Sequence, residues 1–175
     1  YKCLKEDQVK DYIVLGIVSA LGFLSKYLFV YLLIGIKIFY LFYIKKNKLK
    51  FNYFIPGVVF LIILIPHFIW LTENNYITIT YGLKRTGEVK HYLDHVILPF
   101  TFLAKQIAIL IPFFVLLFIL IKKIKTNFSL KDQNILYLLS ITIVPIFFVF
   151  LTSLILGAKI KTMWMTPFYL FIGTL

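Results

Sequence analysis

Long apolar runs are the feature that most limits what this chain can fold into. They begin near Ile13, Tyr53, Ile97, Ile135 and Met163. Hydrophobic residues make up 61% of the chain and charged residues 15%, and the runs are too long to be buried in a water-soluble domain. We therefore predict an all-α, polytopic integral membrane protein, because helices satisfy their own backbone hydrogen bonds in lipid.

The first apolar run, from about residue 13 to residue 44, is too long for one membrane span. As a single helix it would measure roughly 48 Å, whereas the hydrocarbon core of a bilayer is about 30 Å thick. A turn at Ser25-Lys26-Tyr27 would divide the run into two legs, and the first leg, GIVSALGFL, carries small residues that allow close helix packing. We predict a helical hairpin with Lys26 at its tip.

The whole chain is predicted to be a single transmembrane domain with six helices and one long outer loop. The helices cover about residues 13–25, 27–44, 53–71, 97–121, 135–156 and 163–175, and the loop covers residues 72–96. Prolines in or near these spans favour kinked helices with cavities between them. Because the chain begins at Tyr1 and ends within an apolar run, we expect it to be part of a longer protein.

Lysine clusters between the apolar runs predict the orientation in the membrane. With the N-terminal segment, KKNKLK and the KKIK segment on the cytoplasmic side, three, four and four basic residues lie there. The Lys26 tip, the Pro66–Pro99 segment, Lys159 and Lys161 then share the outer face. The net charge of +12 does not indicate nucleic-acid binding, because the basic residues form short juxtamembrane clusters without a basic face or a known binding motif.

Two cations are the main candidates for binding an anionic ligand. Arg85 is the only arginine of the chain, and its planar guanidinium can hold two phosphate oxygens. Lys26 lies between two apolar legs, where an ammonium is costly unless it reaches water or an anion. The alternatives are a solvated charge beside Lys84 for Arg85 and snorkelling to the interface for Lys26.

Several other residues are candidates for lining a cavity or holding a metal. The cavity candidates are Tyr27, His67, Tyr81, Lys105 and Tyr169. For His67 a packed imidazole bonded to a backbone carbonyl is the alternative, and Lys105 could instead reach the membrane surface.

His91, Asp94 and His95 would share a helical face and could then bind a divalent metal, or they could be solvated loop residues. We predict that no metal or other cofactor is bound. Cys3 is the only cysteine, which excludes an internal disulfide and a cysteine metal cluster.

Four segments resemble GT-C membrane glycosyltransferases. GIVSALGFLSKY is similar to their helix-and-lysine segment, and PHFIW, YGLKRTG and KIKTMWMTPFYLF follow in the family's order. The similar branch comprises protein O-mannosyltransferases, lipid A aminoarabinose transferases and rhizobial lipopolysaccharide transferases. The resemblance implies a polyprenyl- or dolichyl-phosphate-sugar donor and a lipid, glycan or protein acceptor at the outer face.

The resemblance also implies roles for individual residues. It assigns contacts with the donor phosphate to Lys26 and Arg85. The predicted topology adds Lys161 at the same membrane face, although Lys159 could take its place or both lysines could be lipid-headgroup anchors. The catalytic acid of the family lies in the first outer loop, so we expect it upstream of Tyr1, outside this sequence.

Two other function classes remain open from the sequence. A transporter or lipid flippase would also use kinked helices and interior cations, but the acidic residues here are confined to loops and the polar N-terminus, which disfavours ion coupling. A non-catalytic membrane scaffold would need no acid at all. The bias toward Ile, Lys, Phe and Asn suggests an AT-rich bacterial genome, and hence the bacterial inner membrane.

Overall fold

The computed structural model describes residues 2–46, 50–87, 91–121 and 132–170. Helices dominate these residues, and no strand occurs within them. Three of the described segments, Phe51–Glu73, Asp94–Ile119 and Gln133–Leu156, are long and apolar enough to cross a membrane. The prediction of an all-α membrane protein is therefore confirmed.

The order of the helices follows the apolar runs. The α-helices are α1 (Lys2–Glu6), α2 (Val9–Ser25), α3 (Phe29–Lys46), α4 (Ile55–Glu73), α5 (Ile77–Arg85), α6 (Asp94–Ile121) and α7 (Gln133–Leu156). Two 3-10 helices cover Phe51–Phe54 and Thr162–Tyr169.

The chain divides into two compact units, Tyr1–Leu83 and Lys84–Leu175. In the first unit, α2 packs closely against α4. A Cβ atom on Gly16 would lie only 2.7 Å from the Cβ of Val59 and 2.8 Å from the carbonyl oxygen of Pro56. The absence of a side chain at Gly16 therefore lets the two helix backbones approach each other.

In the first unit, a turn divides the long apolar run of residues 13–44 into two helices. α2 ends at Ser25 and α3 begins at Phe29, so residues 26–28 form the connection. The Lys26 amide donates to the carbonyl of Gly22 at 3.1 Å, and the Phe29 amide donates to the Lys26 carbonyl at 2.9 Å. Lys26 therefore closes one helix and opens the next.

In the second unit, α6 packs against α7, and the 3-10 helix Thr162–Tyr169 packs against both. The carboxylate of Asp132 accepts a hydrogen bond from the Asn134 amide at 2.8 Å and so caps the start of α7. Gly157 ends α7 with φ 60°, a left-handed conformation that glycine adopts without a steric cost.

The structure differs from the sequence prediction in two segments. The predicted outer loop, residues 72–96, contains the helix α5, in which polar threonines alternate with isoleucines. The predicted last span, residues 163–175, contains the 3-10 helix Thr162–Tyr169 up to its described end at Leu170. The predicted lysine cluster at residues 122–131 lies outside the described residues.

Candidate functional site

The Tyr27 hydroxyl is the centre of a polar cluster in the first unit. It lies 2.9 Å from Nε2 of His67 on α4 and 2.7 Å from Oγ1 of Thr78 on α5. Tyr27, His67 and Thr78 are half-buried, so these bonds are partly shielded from water. The turn after α2 is thereby tied to two helices that follow it by 40 and 51 residues.

The two bonds of Tyr27 can be written in two directions. A phenol carries one proton and can also accept, and one imidazole nitrogen donates while the other accepts. Tyr27 can donate to His67 while accepting from Thr78, or it can accept from His67 while donating to Thr78. The cluster therefore stays bonded in either tautomer of His67.

Aromatic rings surround this cluster. The indole of Trp70 stacks on the His67 ring, with centroids 6.1 Å apart and an interplanar angle of 15°. The Phe23 ring lies 5.3 Å from the Tyr27 ring and 5.9 Å from that of Phe60. These apolar contacts restrict the orientations of the Tyr27 and His67 side chains.

Lys26 is exposed, directly beside the half-buried Tyr27. Its backbone is held by the two hydrogen bonds of the turn, while its side chain is exposed among the described residues of the first unit. The Lys26 ammonium is therefore accessible from outside the first unit, and its contact with an anionic ligand remains a prediction.

The other two predicted phosphate ligands lie in the second unit. Arg85 is exposed at the end of α5, and Lys161 is exposed immediately before the 3-10 helix Thr162–Tyr169. The Lys159 amide donates to the Thr86 carbonyl at 3.0 Å, so the chain segments that carry Arg85 and Lys161 are neighbours. Since Lys26 lies in the first unit, a phosphate site shared by all three cations remains a prediction.

The remaining cavity candidates have different environments. Tyr169 donates a hydrogen bond to Oε1 of Gln106, a buried residue of α6 whose Nε2 has no partner among the described residues. Lys105, which precedes Gln106, is exposed, and Tyr81 on α5 is exposed as well. Of the five residues predicted to line a cavity, Tyr27 and His67 are in direct contact within the first unit.

The candidate metal ligands have other partners. Nδ1 of His95 lies 2.9 Å from the Leu154 carbonyl oxygen, and because a carbonyl only accepts, Nδ1 carries the proton. The Asp94 carboxylate accepts from the His91 amide at 3.0 Å. Within the described ranges, no three His, Cys, Asp or Glu side chains are grouped as metal ligands.

A carboxylate that the sequence did not single out organises the N-terminal region. Asp7 accepts hydrogen bonds from the Lys50 ammonium at 2.5 Å, the Tyr12 hydroxyl at 3.0 Å and the Asn52 amide at 3.4 Å. The bond from Lys50, followed by that from Tyr12, lowers the pKa of Asp7 below its ordinary value of 3.8. The partners follow Asp7 by up to 45 residues, so no local motif could have indicated the cluster.

Comparison with known protein families gives a match to the N-terminal part of the chain. The sequence model of the dolichyl-phosphate-mannose-protein mannosyltransferase family matches residues 1–70. No curated protein and no solved structure matches the chain significantly. The matched segment contains α2, the Lys26 turn, α3 and most of α4. Over these residues the chain is similar to that mannosyltransferase family.

Proposed function

We propose that this protein transfers a sugar from a polyprenyl-phosphate-linked donor to a lipid, glycan or protein acceptor. The reaction would take place at the outer face of the bacterial inner membrane. The observation that carries the proposal is the family match over residues 1–70. The exposed Lys26, at the turn after α2, lies within the matched residues. The apolar helices supply a surface along which a prenyl chain can lie.

The proposed reaction exchanges one bond of the sugar for another. The bond between the anomeric carbon and the phosphate oxygen breaks, and the acceptor oxygen bonds to that carbon. The acceptor hydroxyl loses its proton to a base, and the departing polyprenyl phosphate gains negative charge. The resemblance implies that this base is a carboxylate.

Fixed cations would lower the barrier, because they stabilise the charge that develops on the departing phosphate. We propose this role for Lys26, Arg85 and Lys161. Arg85 suits it best, since a guanidinium can bind two phosphate oxygens in one plane. The nearness of the Arg85 and Lys161 segments within the second unit supports a joint role for these two residues.

The test is sugar transfer by the full-length protein, purified and placed in lipid vesicles. A polyprenyl-phosphate donor with a labelled sugar is supplied together with extracted envelope lipids as acceptors. We expect equal amounts of labelled product and free polyprenyl phosphate. Movement of intact donor between leaflets without release of polyprenyl phosphate would instead indicate a flippase and contradict the proposal.

A further inference from the structure

The Tyr27 hydroxyl joins three helical segments at the residue next to Lys26, and the proposed reaction gives this contact no role. We propose that Tyr27, His67 and Thr78, here called the hydroxyl clasp, are positioning residues that fix where the Lys26 ammonium meets the donor phosphate. This inference rests on the proposed glycosyl transfer, and it adds a means by which the donor site is kept in shape.

The main chain at the turn is already held from two sides. The Lys26 amide and carbonyl are both hydrogen-bonded, and the Tyr27 carbonyl accepts from the Val30 amide at 3.0 Å. These bonds fix the turn relative to α2 and α3. They do not fix it relative to α4 and α5, which are reached by the Tyr27 side chain.

The clasp supplies that second connection. With bonds of 2.9 Å to His67 and 2.7 Å to Thr78, the hydroxyl uses its one donor and at least one acceptor site. Trp70 stacks on His67 and Phe23 packs on Tyr27, so both partners are themselves held in place. A side chain next to Lys26 is thus anchored to the helices that follow, while Lys26 itself is exposed.

The consequence concerns donor affinity. The donor phosphate is anionic before the reaction starts, so a less well-placed Lys26 weakens binding of the ground state. Loss of such binding raises KM, and kcat should fall as well because Lys26 also stabilises the charge that develops on the phosphate. Tyr27→Phe removes both hydrogen bonds of the hydroxyl and should raise the donor KM and Kd by about two- to tenfold, the size of an ordinary net hydrogen-bond contribution.

Matched variants separate the clasp from a general loss of structure. Thr78→Val should raise the donor Kd in the same way, and Thr78→Ser, which keeps the hydroxyl, should restore it. Thr80→Val is the control on the same helix, because the Thr80 hydroxyl bonds to the backbone carbonyls of Tyr76 and Ile77. We expect it to leave the donor Kd unchanged.

The decisive experiment places Tyr27→Phe in a Lys26→Gln background. If the clasp acts through Lys26, the second substitution adds nothing to the donor Kd, since coupled residues are not additive. Full additivity, or an unchanged Kd in Tyr27→Phe and Thr78→Val alone, would overturn the clasp. Kd is measured by binding of a labelled polyprenyl-phosphate sugar to the full-length protein in vesicles.

Binding and transfer are measured separately, so the two proposals fail in different ways. Wild-type protein that binds the donor but releases no polyprenyl phosphate would contradict the transfer reaction, while the clasp variants would still report on donor binding. An active wild type with the same donor Kd in every clasp variant would contradict the clasp alone.

Discussion

Lys26 and Tyr27 are adjacent in the sequence but differ in environment. Lys26 is exposed, whereas Tyr27 is half-buried and bonded to His67 and Thr78. The Lys26 charge therefore lies at the surface, and the hydrogen-bonded Tyr27 side chain is less exposed. At the scale of single residues, we therefore expect substitutions at Lys26 to remove charge and those at Tyr27 to misplace it.

Arg85→Lys tests whether guanidinium geometry matters in addition to charge. An ammonium cannot bind two phosphate oxygens in one plane, so the substitution should slow sugar transfer roughly ten- to a hundredfold, as expected for about 1.5–3 kcal/mol from one charge-assisted bond. The measurement is kcat/KM for a labelled polyprenyl-phosphate sugar in vesicles. Lys84→Arg is the control, and we expect it to retain the wild-type rate. Wild-type activity in Arg85→Lys would show that charge alone suffices.

Asp7→Asn should destabilise the protein at neutral pH, because it removes the charge that pairs with Lys50. The pKa of Asp7 is lowered in the folded state, so the stabilisation is present above the ordinary pKa of 3.8 and is lost as the pH falls through the lower folded value. Asn also tolerates the positive φ of 50° at this position.

The measurement for Asp7→Asn is the thermal unfolding midpoint in detergent at pH 7 and below pH 4. We expect a gap between wild type and variant at pH 7 that narrows on acidification. Glu73→Gln, at the exposed end of α4, is the control and should show no such gap. A gap that is constant with pH would mean that the ion pair does not contribute.

At the scale of helices, close packing of α2 against α4 decides which glycines are required. Gly16 has Val59 and the Pro56 carbonyl where its Cβ would be, whereas a Cβ on Gly57 would have no heavy atom within 4 Å. Both glycines lie in α-helices, so alanine would be favoured at each by up to about 1 kcal/mol on helix propensity alone. Packing should reverse that preference at Gly16 only.

We therefore expect Gly16→Ala to destabilise the protein by about 1–3 kcal/mol, as overpacked interfaces do, and Gly57→Ala to leave it unchanged or slightly more stable. Thermal unfolding in detergent, followed by helical circular dichroism, measures both. Equal unfolding midpoints for the two variants would show that α2 and α4 can move apart without a loss of stability.

The sequence allowed the helices of the long apolar runs to be predicted, because their hydrophobicity is a property of each segment alone. It did not reveal α5, since nine residues of mixed polarity in a polar segment resemble a loop. Tyr27 and His67 were candidates for separate reasons, yet their contact depends on how α4 packs beside the turn. Thr78 was missed because a threonine in such a segment carries no chemical signal of its own.

At the scale of the whole molecule, the lysine distribution predicts that the turn after α2 and the segment after α5 face the same side of the membrane. Ser25→Cys and Thr86→Cys, each in a Cys3→Ala background, should react with a membrane-impermeant thiol reagent added to the outside of intact cells. Permeabilised cells provide the control for reactivity. Labelling of the two positions from opposite sides would contradict both the orientation and the shared phosphate site.

The stacking of Trp70 on His67 has an optical consequence. Indole emission depends on the groups that contact the ring. In a Trp164→Phe background, which removes the other tryptophan of this sequence, the fluorescence of Trp70 would therefore report whether the His67 ring keeps its place. The protein thus carries its own emission probe one side chain away from Tyr27, readable in vesicles without an attached dye.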